Sequence, residues 1–392
     1  MPRRTSLEIC SSPYQYKSKS LCMKKSFTEP DYKSSTILTD DVFTYIEFYF
    51  SSHKKAMKYR NPLSKSQYGN EKKYHYSFYW KQSMTFYQAA KVLPIGSVPL
   101  VAYYSMLNAV KAFLAYKCEF IEDFVTDFSQ HGLYEVPNNT GNDLSTITVS
   151  RKQSGVFPLF GRTIDPNFVS AWQNGRSHSI TLKKLLYNLA FIHRAYITTY
   201  TTSRGVNPQE LFIPLVKGKS PHYCKGNDSC LYLVFDIDKG AFPPSTTSIP
   251  SAYTATISPK FCVSDSDSFM LRSAEGAKRN TTDSLSAEFK SLNDNLRQEF
   301  QYIRSDDRLW YLKRSAMGDS NVLNINSMLI IMAAMHRISE IVRYKPEQLA
   351  HLMDSKENWL IHEFITLALD QFIDEIASEI TGQDIMGTGV KR

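Results

Sequence analysis

His336 and Arg343 stand seven residues apart in an apolar run that reads as helix, so two turns bring them to one face. An imidazole beside a guanidinium can form a small anion site, with the ring free to move a proton. Arg337, six residues before Arg343, falls on another face. His131, just ahead of Gly132, is a third group of this kind. It could act as a general acid or base or contact a phosphate. It could equally cap the carboxyl end of an element while the glycine turns the chain. Arg343 has a structural alternative too, since it could satisfy the last carbonyls of its own helix. Asn108 and Lys111, three apart in a mostly apolar stretch, share a face and need partners if buried. They could face a polar pocket or meet a carboxylate of the acidic closing segment.

None of these residues completes a catalytic signature. There is no phosphate-binding Gly-rich loop with its lysine, no dinucleotide glycine pattern after a strand, no Gly-x-Ser-x-Gly and no His-Glu-x-x-His. Six cysteines scattered along 392 residues do not make a disulfide framework. His222-x-Cys224-x5-Cys230 lacks a fourth ligand and the short Cys spacing of a zinc site, so neither metal nor cofactor is expected. Asp236-Ile-Asp238 reads as a solvated strand end.

Charge suggests a partner class. Residues 1–91 hold 16 Lys and Arg against 7 Asp and Glu, while the whole chain nets +8, so the remainder is close to neutral. Lys54, Lys55, Lys58 and Arg60 cluster in this basic quarter and are candidate contacts for nucleic acid or an acidic protein partner. A Lys-rich solvated surface is the alternative. No secretory leader follows Met1-Pro-Arg-Arg, and a cytoplasmic location is expected. Residues 98–116 are apolar, but Asn108 and Lys111 interrupt them, so a buried helix is expected there and no membrane partner.

The elements that must position these groups are mainly helical. Asp41 caps a helix beginning near residue 42, and two more span about 75–92 and 98–117, split by Pro94-Ile95-Gly96. Another runs from Thr181 to about Tyr196. Residues 322–343, apolar all round, and 358–381, with a broad apolar stripe and Asp370, Asp374, Glu375 and Glu379 on the remaining face, are the two closing helices. Strands are expected at Thr146–Val149, Val156–Phe160, Leu231–Phe235, Ala252–Ile257 and Phe261–Val263. With 24 Tyr and 23 Phe, aromatic contacts should dominate parts of the core. Residues 1–38 lack periodicity and read as a loose arm.

Several pieces in a shared order resemble the YaaC-like proteins, a bacterial group without an assigned activity. They are Tyr87-Gln88-Ala89, Pro99-Leu100-x-x-Tyr103-Tyr104-x-x-Leu107-Asn108-x-x-Lys111-Ala112, His131-Gly132-Leu133 and Gly155-Val156-Phe157. Thr181-Leu182-x-x-Leu185-Leu186, Arg343-Tyr344-x-Pro346-Glu347 and Ala377-Ser378-Glu379-Ile380 follow. A fainter likeness, a Tyr-rich helix with a late Lys-Ala and then His-Gly-Leu, resembles the helical core of HEPN-type domains. That likeness implies RNases or toxin partners in prokaryotic defence. Their signature of Arg, four to six residues, then His is missing: the nearest pair, Arg343 and His351, has seven residues between and Pro346 interrupting.

The expectation is an α+β, mainly α protein: a HEPN-like helical core, a small β-rich section over about 133–270, and two long C-terminal helices. Residues 1–70 form the basic arm and first helix, 71–382 the globular region and 383–392 a flexible tail. The expected function is that of a YaaC-like binding or interaction protein for nucleic acid or an acidic partner, within an oligomer or multi-protein complex and in a prokaryotic defence assembly. The competing expectation is an RNase or nucleotide-processing toxin using His131, His336 and Arg343, and convergence of His131 and Arg343 in one pocket would favour it.

Overall fold

Asp41 starts the first helix as its side chain requires: its Oδ1 accepts from Thr44 N at 3.0 Å, satisfying one of the orphan amides of the first turn. A computed structural model describes residues 9, 12–55, 75–117, 127–136, 141–202, 208–265, 267–278 and 285–388. Lys58 and Arg60 of the basic cluster lie outside the described residues. The protein is α+β and mainly helical, and it divides into two units: residues 39–209 with 323–381, and residues 1–38 with 210–322 and 382–392.

The first unit is helical. Its helices longer than one turn are α1 (Val42–Ser52), α2 (His75–Val92), α3 (Val98–Lys117), α4 (Val156–Ile164), α5 (Leu182–Tyr187), α6 (His193–Tyr200), α7 (Ser327–Tyr344), α8 (Pro346–Met353) and α9 (Asn358–Thr381), beside a small sheet of Leu133–Tyr134, Thr148–Arg151 and Ile180–Thr181. Helix α3 packs against α2, α7 and α9 and is buried along most of its length. It is long and apolar enough to cross a membrane by length and composition, yet 72% of that stretch is buried inside the protein, as a core helix requires. Small residues let α2 and α3 approach: Ser83 Oγ donates to Ser105 O and Ser105 Oγ to Ser83 O, each at 2.9 Å. Helix α7 carries Met328–Met335 without an exposed side chain, each large one stabilising by about 1.5–3 kcal/mol through burial.

Helix α9 departs from the simple stripe. Asp374, Glu375 and Glu379 are buried with its apolar residues. Glu375 is satisfied there by Ser327 Oγ at 2.9 Å and Gln371 Nε2 at 2.6 Å. Asp370 instead meets Lys91 Nζ at 2.6 Å and the Tyr87 hydroxyl at 2.9 Å.

Three local expectations are corrected in this unit and its partner. Val156–Phe160 is not a strand but the start of α4, because Gly155 turns at φ 117° and the amides of Val156 and Phe157 find acceptors in Gln130 O and His131 O. The helix expected through 181–196 breaks after Tyr187, where Asn188 Oδ1 accepts from Leu323 N at 2.8 Å, and resumes at His193. Ala252–Ile257 begins with a helical turn over Ser251–Thr254 that follows Pro250.

The second unit is β-rich and extends beyond residue 270. Strand Cys230–Asp236 pairs antiparallel with His222–Lys225, Met270–Ser273 and Ala277–Lys278, and Phe261–Val263 adds to Met270–Ser273. A second sheet orders Phe300–Ile303, Leu309–Lys313 and Phe212–Pro214. The stretch read as a loose arm is built into this unit. Leu21 and Met23 enter its core, and a hairpin turns at Lys17 and Ser18, both at positive φ. The physical reason is distant in sequence: buried Arg297 donates to Lys24 O at 3.0 Å and Lys25 O at 2.7 Å, and its guanidinium lies 3.8 Å from the centre of the Phe27 ring. The expected tail is likewise ordered at Ile385–Met386, which pairs in parallel with Ile37–Leu38.

Candidate functional site

Two glycines place His131. Gly132, at φ 86°, and Gly155, at φ 117°, sit so close that a Cβ on Gly155 would meet Gly132 Cα at 2.7 Å. L-residues with side chains are strained at such φ. Gly155 N donates to Asp127 Oδ1 at 2.7 Å, and Lys152 N to Gly132 O at 2.8 Å. The loop is thereby fixed to the start of α4, and the strand Leu133–Tyr134 leaves it to pair with Thr148–Arg151.

The His131 ring lies 5.4 Å from that of Tyr103 and 5.9 Å from that of His336, which it meets nearly at right angles. Tyr103 and His336 pack edge-to-face at 4.9 Å. Helix α3 supplies the tyrosine and α7 the second histidine. Seven residues further along α7, Arg343 is exposed and donates through Nη2 to Tyr104 Oη at 3.2 Å. His131, His336 and Arg343 line one cavity of about 360 Å³, together with Tyr103, Lys152 and Glu340. The three candidate catalytic groups therefore converge.

Its two imidazoles are held below their ordinary pKa. Burial, then Lys111, Arg343 and Lys152, lower the His131 pKa. Burial above all, with His131, Arg337 and Arg343, pushes His336 down to about 3. Neutral imidazole can accept a proton, and the cations that hold His131 neutral also favour a negative ligand. Tyr103 stays a phenol, because burial raises it far above its ordinary value. Tyr103 Oη and His336 Nδ1 are buried in the cavity wall without a hydrogen-bond partner among the described residues. Each such atom costs about 1–3 kcal/mol unless a ligand or water meets it.

Glu340 lies on the same helix, four residues after His336, with its Oε2 3.7 Å from His336 Nδ1. Burial raises its carboxyl, partly offset by Arg337 at 3.3 Å. Arg337 is itself buried and pairs with Glu135 Oε1 at 2.6 Å, which Lys345 Nζ also reaches at 2.7 Å. The helical spacing that joins His336 to Arg343 reaches Glu340 as well, so this wall residue was open to sequence reading. Tyr103 was legible as a core position. Lys152 had no signal, since it arrives by the turn after Thr148–Arg151.

The other candidates lie elsewhere. Asn108 Nδ2 donates to Tyr104 O at 2.8 Å, a bond within its own helix. Lys111 Nζ stands 5.6 Å from the ring centres of Tyr79 and Phe128, and burial lowers its pKa. Neither lines the cavity, although Lys111 acts on His131 through its charge. Lys54 and Lys55 are exposed after α1, with Lys55 Nζ 4.3 Å from the Tyr116 ring centre, and they do not line it either.

The buried imidazole has a consequence for stability. The folded pKa of His336 is below its ordinary 6.5, so what it contributes is present above pH 6.5 and is lost as pH falls towards 3. The expected slope is about 1.4 kcal/mol per pH unit in that window. In urea unfolding at pH 4, 5, 6 and 7, His336→Phe should flatten the slope by about one proton. An unchanged slope would show that His336 is not the group being titrated.

No curated protein and no solved structure matches the chain. The family model described as YaaC-like Protein matches residues 43–380, which takes in α1 to nearly the end of α9 and every residue of the cavity. The chain belongs to the YaaC-like family.

Proposed function

We propose that the cavity around His131 and Arg343 binds a phosphate-bearing ligand, RNA being the favoured class, and performs proton-transfer chemistry on it. The convergence of His131, His336 and Arg343 on one cavity carries this reading. Arg343 and Lys152 would hold the phosphate, and neutral His131 would take the 2′-hydroxyl proton. The O2′–P bond forms as P–O5′ breaks. The leaving oxygen takes a proton from water at the mouth, and His131 returns its own to solvent. Exposed Lys54 and Lys55 would add sequence-independent attraction to the backbone. A HEPN-type core is part of the proposal, supported by the order of the Tyr-rich α3, its late Lys111-Ala112 and the His131-Gly132 turn. A place in a defence assembly rests on that likeness alone.

The second reading is binding without turnover, favoured by the edge-to-face packing of Tyr103, His131 and His336, an arrangement that also serves a core. Labelled single-stranded RNA incubated with the full chain separates them. Cleavage to 2′,3′-cyclic ends is expected, falling at least about 100-fold in His131→Ala and in Arg343→Ala. Intact RNA in every lane would end the enzyme reading. Affinity should fall steeply between about 50 and 200 mM salt. No binding at low salt would remove the nucleic-acid reading altogether.

A further inference from the structure

A cavity of about 510 Å³ lies in the β-rich unit, far larger than packing defects and large enough for a mononucleotide. Its floor includes two buried polar side chains. The hydroxyl of Tyr32 is buried without a hydrogen-bond partner among the described residues. Asn293 is 2% exposed, and its Oδ1 accepts from Tyr223 Oη at 2.9 Å. That bond fixes the amide, whose Nδ2 donates one hydrogen to Asp294 Oδ1 at 3.4 Å, at the long limit, and keeps a second hydrogen to offer. A donor and an acceptor thus stand side by side at the wall.

The charges around them are mixed: Glu29, Asp31 and Asp294 line the cavity together with Lys33 and Lys290. Burial raises the Asp294 carboxyl, and Lys290, four residues earlier on the helix Ala287–Arg297, offsets part of that rise through its charge. Lys33 adds a second exposed ammonium to the lining. Tyr16 and Leu285, both half-buried, offer apolar surface for a flat ring.

We infer that this cavity binds a mononucleotide whose base carries an exocyclic amine beside a ring nitrogen, as adenine and cytosine do. The amine donates to the Asp294 carboxylate, and the ring nitrogen accepts from Asn293 Nδ2. The phosphate meets Lys290 and Lys33. Hypoxanthine reverses the pattern, setting an N–H against the amide donor and a carbonyl against the carboxylate.

Isothermal titration of the full chain with AMP, IMP and adenosine tests the inference. AMP should bind, with IMP and adenosine each at least about 10-fold weaker. Asp294→Asn should weaken AMP and narrow its lead over IMP, and Lys290→Met should bring AMP towards adenosine. Both side chains are exposed, so the variants should keep the wild-type circular dichroism. Arg343→Ala should leave AMP binding intact, which keeps this site distinct from the RNA cavity. Equal affinity for AMP and IMP, no AMP binding at about 5 mM, or loss with Arg343→Ala but not with Asp294→Asn would overturn it.

Discussion

Gly132→Ala is expected to lower the unfolding free energy by about 2–5 kcal/mol, the sum of a positive-φ penalty and overpacking against a rigid neighbour. A Cβ at residue 132 would meet Pro158 Cδ at 2.3 Å, and φ there is 86°. A proline ring in the first turn of α4 cannot swing aside as a long side chain can. Gly155→Ala should cost as much, because its Cβ would meet backbone atoms of Gly132 at 2.7 and 2.8 Å. Other glycines separate the two causes. Gly175 has φ 110° with nothing within 4 Å, so its alanine variant should lose about 1–2 kcal/mol from conformation alone. Gly96 has neither feature, and Gly96→Ala should fall within about 0.5 kcal/mol of wild type. Urea unfolding of the four variants gives the ranking. A Gly132→Ala loss no larger than that of Gly175→Ala would mean that the loop relaxes and does not fix His131. Where the loop is fixed, Gly132→Ala should also abolish the proposed RNA cleavage, since His131 would move off its neighbours on α7.

That glycine contact shows why part of the fold was legible and part was not. Long periodic segments carry their own instructions: α2, α3 and α9 appear at His75–Val92, Val98–Lys117 and Asn358–Thr381, close to the limits their apolar spacing predicts. Val156–Phe160 carries no such instruction. It is apolar and short enough for either element, and distant partners decide it: Gly132 packs on Gly155, and the carbonyls of Gln130 and His131 take the first amides. The amino-terminal segment is decided from further still, by Arg297. The site divides along the same line. His336, Glu340 and Arg343 follow one helical face and could be read together. His131 joins them from a loop some 200 residues earlier, a placement that local spacing does not contain.

Removing Arg337 should destabilise the protein by about 2–4 kcal/mol at pH 8, and by less at pH 5. Its side chain is 2% exposed and holds Glu135 and Glu340, whose own side chains are 26% and 23% exposed. Truncation to Met leaves two carboxylates that have lost their closest guanidinium, although water reaches both and limits the penalty. Lys345 still covers Glu135, so most of the effect should come from Glu340. Burial already raises the Glu340 carboxyl, and Arg337 is the largest influence opposing that rise. Without it the folded pKa climbs further above the unfolded one. A group raised in this way is least costly while protonated, so its penalty appears as pH rises through the folded pKa. Glu340→Gln removes the charge that would be stranded. The double variant Arg337→Met/Glu340→Gln should therefore be more stable at pH 8 than Arg337→Met alone, and the two should converge at pH 5. Urea unfolding of wild type, both single variants and the double at the two pH values closes the cycle. A pH-independent loss, with no recovery in the double variant, would show that Arg337 acts by packing and not by holding the Glu340 carboxylate against the cavity wall.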